Sequence, residues 1–318
     1  MRQGVIDIGT NTCLLVIAES DECGSMRILA DLHAIARLGA GVDATKQIQP
    51  ESYQRLKKIL TKHAQSLSEF GLESVTAIAT SAMRDAANRE EIIASAQRDT
   101  GIRIEVISGD DESFWSYRGA LCGIPPDELS GEIAALDIGG GSTELSHGKD
   151  GIYRGGNSID IGAVRIKERC LSKNDPESVH AARTYIRTAL QDMPPIAKAK
   201  KLIAVAGTPT ALAAMKLRLV AFDAAQINGT RLLVSEVSDL TNEILELSPA
   251  DLVNKYPVIH PDRADILPAG VLILEETMKH LGINEVQVST YGLRFGILIR
   301  EFERQMNSSN ASWTLTHR

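Results

Sequence analysis

The feature that most constrains this chain is a near-repeat of one short pattern. "VIDIGTNTCLLVIAE" begins at Val5 and "ALDIGGGSTELSHG" at Ala135, an offset of 130 residues. In that register Asp7 falls on Asp137, Gly9 on Gly139 and Thr12 on Ser142. Each copy is followed by a turn, "SDECGS" or "GKDG", and then by a strand candidate, "MRILADLHAI" or "IYRGGNSIDI". Both halves therefore open as a three-stranded meander whose first turn carries Asp and Gly. Matching order together with matching residues marks a duplicated domain, and 318 residues suffice for two of ordinary size.

The remaining pattern alternates helices and strands. "PESYQRLKKILTKHAQSLSEFG" has helical apolar spacing, with Pro50 near its start and Gly71 ending it. The strand-length runs "SVTAIATSA" and "IRIEVIS" flank a helix, "AANREEIIASAQRDTG". "DESFWSYRGALCG" reads as a helix with an acidic first turn. "IPPDELSG" is a Pro- and Gly-bearing connection, taken as the boundary between residues 1–125 and 126–291.

In the second half "DPESVHAARTYIRTALQDM" reads as a helix and "KLIAVAG" as a buried strand. "TPTALAAMKLRL" reads as a helix opened by Thr208, with Pro209 at its first position. "RADILPAGVLILEETMKHLG" reads as one apolar helix containing Pro268. "INEVQVST" is a strand, "YGLRFGILIREFERQ" a final helix over 292–306, and 307–318 a polar, frayed tail. Such alternation predicts mixed sheets with helices on their faces.

Composition narrows the function classes. Aromatics are 4% of a chain that is 43% hydrophobic, so Ala, Ile, Leu and Val carry the core, as in an α/β interior. A net charge of −7 argues against a broad positive field for nucleic acid. No apolar run reaches the ~18 residues of a membrane span, and "QGVIDIG" starts a strand at once, leaving no room for a signal peptide. The scattered cysteines, Cys13, Cys23, Cys122 and Cys170, lack metal-ligand spacing and read as reduced, small buried residues of a cytoplasmic protein.

Three glycine turns carry the chemistry: "DIGTNT" at Asp7–Thr12, "DIGGGST" at Asp137–Thr143 and "AGTPT" at Ala206–Thr210. Turns lacking side chains can aim successive N–H groups at an anion, and hydroxyls add donors. The candidate phosphate contacts are Thr10, Asn11 and Thr12; Gly139, Gly140, Gly141, Ser142 and Thr143; and Gly207 and Thr208, where a helix adds its dipole. Asp7 and Asp137 close their strands where a hydrated Mg²⁺ could bridge carboxylate and phosphate oxygens; either could instead accept turn hydrogen bonds. No G-x-x-x-x-G-K-[ST] occurs, and "GGGSTE" fails the dinucleotide pattern. The remaining geometry is a phosphate clamp made of two hairpins on duplicated domains.

Paired "DIGTNT" and "DIGGGSTE" hairpins in a duplicated α/β chain resemble the actin, Hsp70 and sugar-kinase superfamily. The order of "VIDIGTNTCLLVI", "TSAMRDAAN", "EVISGDDES", "ALDIGGGSTEL", "VAGTPTALA", "INGTRL", "DRADILPAG" and "YGLRFGIL" more closely resembles the exopolyphosphatase and guanosine pentaphosphate phosphohydrolase family, in its short two-domain form. The likeness spans residues 5 to 298. It implies an α/β chain of two actin-like (ribonuclease H-like) domains from an internal duplication, with an interdomain cleft and a final helix returning to the first domain. It also implies a homodimer.

The chemistry so implied is Mg²⁺-assisted hydrolysis of a terminal phosphoanhydride, with inorganic polyphosphate or guanosine pentaphosphate as substrate. By motif, Glu112 resembles the catalytic base, Glu144 an acid that orients water or holds metal with Asp7 and Asp137, and Arg84 a phosphate-contacting arginine. Asp111 stands where relatives usually have Glu, and Phe295 follows Arg294 where they usually have Glu. Other readings of the residues stay open: Glu112 as a helix-dipole acid, Arg84 as a surface ion pair, and "RIKERCLSK" and "AKAKK" as solvated faces rather than polyanion guides. A kinase or a nucleotide-sensing module of the same superfamily would use the same hairpins.

Overall fold

The structure is a computed structural model that describes residues 1–21, 24–191, 193, 199–306 and 313–316. The chain divides into two compact units, Met1–Gly123 with Leu293–Arg318 and Ile124–Gly292. The first contains β1 (Arg2–Ile8), β2 (Thr12–Ser20), β3 (Ser25–Ile35), α1 (Val42–Thr45), α2 (Pro50–Glu69), β4 (Thr76–Ala79), α3 (Ser81–Asp85), α4 (Arg89–Thr100), β5 (Ile104–Val106) and α5 (Gly109–Leu121). The second contains β6 (Glu132–Ile138), β7 (Thr143–Lys149), β8 (Ile152–Ile159), α6 (Ala163–Arg169), α7 (Pro176–Gln191), β9 (Lys201–Val205) and α8 (Gly207–Lys216). It continues with α9 (Ala224–Ile227), β10 (Arg231–Leu233), α10 (Val234–Glu246), α11 (Pro249–Lys255), α12 (Pro261–Ala264), α13 (Leu267–Leu281) and β11 (Glu285–Val288). The chain then returns to the first unit with α14 (Leu293–Met306) and β12 (Thr314–Thr316).

The repeat in the sequence is a repeat of sheet topology. One sheet runs β12-β3-β2-β1-β4-β5 and the other β10-β11-β9-β6-β7-β8. In each, an antiparallel meander is followed by two strands parallel to the first, so β3-β2-β1-β4-β5 corresponds to β8-β7-β6-β9-β11. This is the ribonuclease H-like order of an actin-like domain. The first hairpins have the same length, with Ile8 opposite Cys13 and Ile138 opposite Thr143.

Helices on the sheet faces explain why the central strands lose their alternation. Val5, Ile6 and Ile8 of β1, and Ile133 to Leu136 of β6, are all buried. On α2, Tyr53, Leu56, Leu60, His63 and Leu67 bury one stripe at helical spacing. In the second unit α13 is buried on every side from Leu267 to Met278. Its two acids are paired rather than bare: Glu275 with Lys279 at 2.6 Å, and Glu276 with Arg187 at 2.6 Å and with Arg183.

Four readings of the sequence need correction. The helix after β9 starts at Gly207, with Ala206 as its N-cap at a φ of 73°, so Pro209 is the third helical residue. Its missing N–H still costs nothing there, because first-turn amides have no intrahelical acceptor. The segment from Arg263 is not one helix: α12 ends at Ala264 and α13 opens at Leu267, with Pro268 in its first turn. The tail is not wholly frayed, for β12 pairs in parallel with Ser25–Arg27 of β3, and Trp313 stacks on Phe302 at 5.5 Å. Aromatic and β-branched residues outweigh polar composition at a sheet edge. Finally, Arg165 of the "RIKERCLSK" run is buried, not solvated.

Cys13 and Cys122 are buried free thiols and Cys170 is partly buried; Cys23 and part of "AKAKK" lie outside the described residues. Among the described residues no helix is long and apolar enough to cross a membrane.

Candidate active site

The two hairpins share a construction that the sequence repeat only hints at. In each, the first glycine closes the turn: Gly9 N–H donates to Thr12 O at 2.8 Å, and Gly139 N–H to Ser142 O at 3.0 Å. The turn carbonyls are then drawn toward a supporting segment. Thr10 O accepts from Gly39 at 2.8 Å, and Asn11 O from the amides of Ala36 and Arg37 at 2.9 Å each. In the second unit Gly139 O accepts from Ala163 at 2.9 Å, Gly140 O from Val164 at 2.8 Å and Arg165 at 3.1 Å, and Gly141 O from Arg165 Nε at 2.7 Å.

A trans peptide points its N–H opposite to its C=O. With the carbonyls tied inward, the amides of Asn11, Gly140, Gly141 and Ser142 point away from the supporting segment. No backbone acceptor among the described residues takes them. A row of outward amides of this kind suits an anion. The support must lie close: a Cβ on Gly162 would sit 2.3 Å from the backbone of Gly140 and Gly141, so only glycine permits that approach. Asn11 is buried, and its Oδ1 has no partner among the described residues.

The acids differ between the units. Asp137 stands directly opposite Glu144 across β6 and β7, whereas Asp7 stands opposite Leu14. Only the second hairpin therefore sets two carboxylate residues side by side, an arrangement that is unfavourable unless a cation or proton intervenes. Glu144 is 1% exposed, and Ser158 Oγ, from the facing position on β8, donates to its Oε1 at 2.6 Å. Thr143 and Thr12 open the second strands of their hairpins; Thr143 is fully buried and spends its hydroxyl on Ile161 O, pinning the end of β8 rather than offering a donor outward.

Arg84 and Glu112, drawn from separate motifs, meet within the first unit. Arg84 Nη1 donates to Glu112 Oε2 at 2.5 Å and to Ile107 O at 3.2 Å. Glu112 lies in the first turn of α5, buried, one residue beyond Asp111. Asp111 serves the helix end: its N–H donates to Ser108 Oγ at 3.1 Å and its Oδ2 accepts from that hydroxyl at 2.7 Å. Arg294 has a structural partner, donating to Asp31 at 3.1 and 2.9 Å, while Phe295 is 1% exposed in the core.

The third glycine turn leads into α8. Thr208 is buried against Gly270 of α13, where a Cβ would come within 2.1 Å of its Oγ1. A Cβ on Gly207 would lie 2.2 Å from Arg263 Nη1. The sequence reading passed over Arg263. Burial lowers the pKa of its guanidinium, and its side chain has no hydrogen-bond or ion-pair partner among the described residues. An arginine stays charged, so a half-buried one without an ion-pair partner among the described residues, set beside the first turn of α8, suits an anion there.

Among the described residues no three His, Cys, Asp or Glu side chains gather as a ready-made cage. A Mg²⁺ ion held by one or two carboxylates with waters and substrate phosphates needs no such cage. The opposed oxygen donors of Asp137 and Glu144 fit such an ion.

The Ppx/GppA phosphatase family model matches residues 16–305. The chain is 33% identical over 315 residues to exopolyphosphatase 2 of Mycobacterium tuberculosis, covering 94% of this chain and 98% of the relative. An exopolyphosphatase-like protein of known structure superposes with a TM-score of 0.89 at 29% identity, covering 96% of this chain and 100% of that one. The Ppx/GppA family member of Aquifex aeolicus superposes with a TM-score of 0.80 at 27% identity, covering 97% and 99%. With its duplicated sheets and matched hairpins, this chain belongs to the Ppx/GppA phosphatase family.

Proposed function

We propose that the chain is an exopolyphosphatase, hydrolysing the terminal phosphoanhydride of inorganic polyphosphate and releasing orthophosphate. The observation that carries this reading is the pair of like-built hairpins, each with its carbonyls tied back and its amides unsatisfied. A phosphoryl group in transfer spreads negative charge over its oxygens, and fixed backbone donors stabilise that charge without acting as nucleophiles. Relatives named exopolyphosphatase over nearly the whole chain support the choice of substrate.

On this reading the amides of residues 10–12 and 140–142 and the α8 first turn at Gly207 and Thr208 bind phosphate oxygens, whereas the Gly139 amide is spent on Ser142 O and serves only to close the turn. Arg84 shares its fork of donors between Glu112 and a phosphate. Water attacks the terminal phosphorus, the bridging P–O bond breaks, and Glu112 accepts the proton that the water loses. Asp7, Asp137 and Glu144 would hold Mg²⁺, whose charge, when bound, offsets that of the phosphates. The Thr143 hydroxyl is left out of phosphate binding.

The test is orthophosphate release, by malachite green, from polyphosphates of graded length, guanosine pentaphosphate and ATP, with and without Mg²⁺. Release from polyphosphate that EDTA abolishes is expected. Release from guanosine pentaphosphate alone would transfer the reading to that substrate, and no release from any would end it. A cytoplasmic homodimer completes the reading; a monomer mass by light scattering would remove the dimer.

A further inference from the structure

We infer that Arg165 is a positioning residue for phosphate binding: acting through the Gly141–Ser142 peptide, its guanidinium strengthens the Ser142 amide as a donor. The inference rests on the hairpin's reading as a phosphate cradle.

Arg165 is only 5% exposed, and a buried guanidinium is costly unless its charge is used. One carboxylate it reaches, Asp160 at 3.4 Å, is itself 72% exposed. Its Nε also donates to a neutral group, Gly141 O, at 2.7 Å. A full positive charge on a carbonyl oxygen draws electron density from the peptide nitrogen. The N–H on the other side of that plane then becomes a stronger donor, the cooperative effect that low dielectric enlarges. That N–H belongs to Ser142, which points outward with no backbone acceptor.

The first unit offers an internal contrast. There the corresponding carbonyl, Asn11 O, takes two backbone amides, from Ala36 and Arg37. Geometry alone is thus achieved with uncharged donors. The second hairpin has backbone support too, from Ala163 and Val164, and the guanidinium comes in addition.

The sequence supplies a clean probe. It contains two Gly-Ser junctions, Gly24–Ser25 and Gly141–Ser142. Protein labelled with carbonyl-¹³C glycine and ¹⁵N serine therefore gives two peaks in a carbonyl-amide correlation spectrum, one of them an internal control. Tripolyphosphate, titrated without added metal, should move the Gly141–Ser142 peak of the wild type and leave the other. In Arg165→Gln and Arg165→Met the Gly141 carbonyl resonance should shift upfield and tripolyphosphate affinity fall about tenfold, the order of one charge-assisted hydrogen bond. Arg165→Lys, which keeps the charge and serves if the others fail to fold, should lie between.

Wild-type affinity in a folded Arg165→Gln protein, an unmoved Gly141 carbonyl, or a wild-type Ser142 peak indifferent to tripolyphosphate would each overturn the inference. A wild type that binds tripolyphosphate at Ser142 yet releases no orthophosphate from any polyphosphate would instead sink the exopolyphosphatase reading and leave this one standing.

Discussion

Arg84 Nη1 lies 2.5 Å from Glu112 Oε2, joining two residues 28 positions apart that belong to different motifs. The contact holds the proposed base in one rotamer and places a cation beside it, so charge and orientation are set together. Replacing Glu112 by Gln preserves shape and removes the proton acceptor. The Glu112→Gln protein should release orthophosphate about 10²–10⁴-fold more slowly, while polyphosphate still binds in a calorimetric titration. Unchanged turnover would remove Glu112 from the chemistry.

Ser158 should matter through Glu144. Its hydroxyl donates to a carboxylate that is almost wholly buried and faces Asp137 across the strands. Hydrogen bonds to charged groups are worth about 1.5–3 kcal/mol. Ser158→Ala should therefore lower kcat/KM by roughly tenfold or more and raise the Mg²⁺ concentration needed for half-activity. Ser158→Thr, which keeps the hydroxyl, should recover most of both. Equal losses in the two variants would mean that packing, not the hydrogen bond, is at stake.

Ser158 also shows where sequence reading stops. Counting back from the "GKDG" turn places Asn157 opposite Glu144, because Lys149 pairs with Ile152 and Gly148 with Tyr153. A bulge between His147 and Gly148 slips the register by one, so Ser158 takes that place. One residue of slip exchanges the faces of a strand, and nothing local in "IYRGGNSI" announces it. The hairpins were legible because their glycines and acids recur in a fixed order. Arg165 and Arg263 were not, since Arg165 meets a carbonyl 24 residues away in sequence and Arg263 lies beside a glycine 56 residues away. The strand at Thr314–Thr316 was hidden by a polar composition that pairing overrides.

The returning helix should govern the stability of the first unit. A Cβ at Gly296 of α14 would come 1.9 Å from Trp115 O of α5, a backbone atom that cannot turn aside. Arg118 and Glu303 bind each other twice at 2.8 Å and fix the same pairing. Gly296→Ala gains up to ~1 kcal/mol of helix propensity but must push the helices apart, costing about 1–3 kcal/mol or more. A net loss in urea unfolding is expected, with lower activity because α5 carries Glu112. A more stable variant would refute the tight crossing.

The Asp31–Arg294 pair should give the first unit an acid-sensitive component of stability. Burial pushes the Asp31 carboxyl up, but the Arg294 charge, hydrogen bonds from His33 and Arg294, and the His33 charge outweigh it and hold the carboxyl well below the usual carboxylate range. A carboxyl depressed on folding contributes stability that is fully present above its unfolded value of about 4 and is lost as pH falls through the folded value. Arg294 is buried, so Asp31→Asn takes a counter-charge from a buried cation, a loss of about 3 kcal/mol near neutral pH. The difference between wild type and Asp31→Asn in urea unfolding should stay constant from pH 7 to about 5 and shrink only below about pH 4. A gap that is already closing at pH 6 would mean that the Asp31 carboxyl is not the group whose titration is being read.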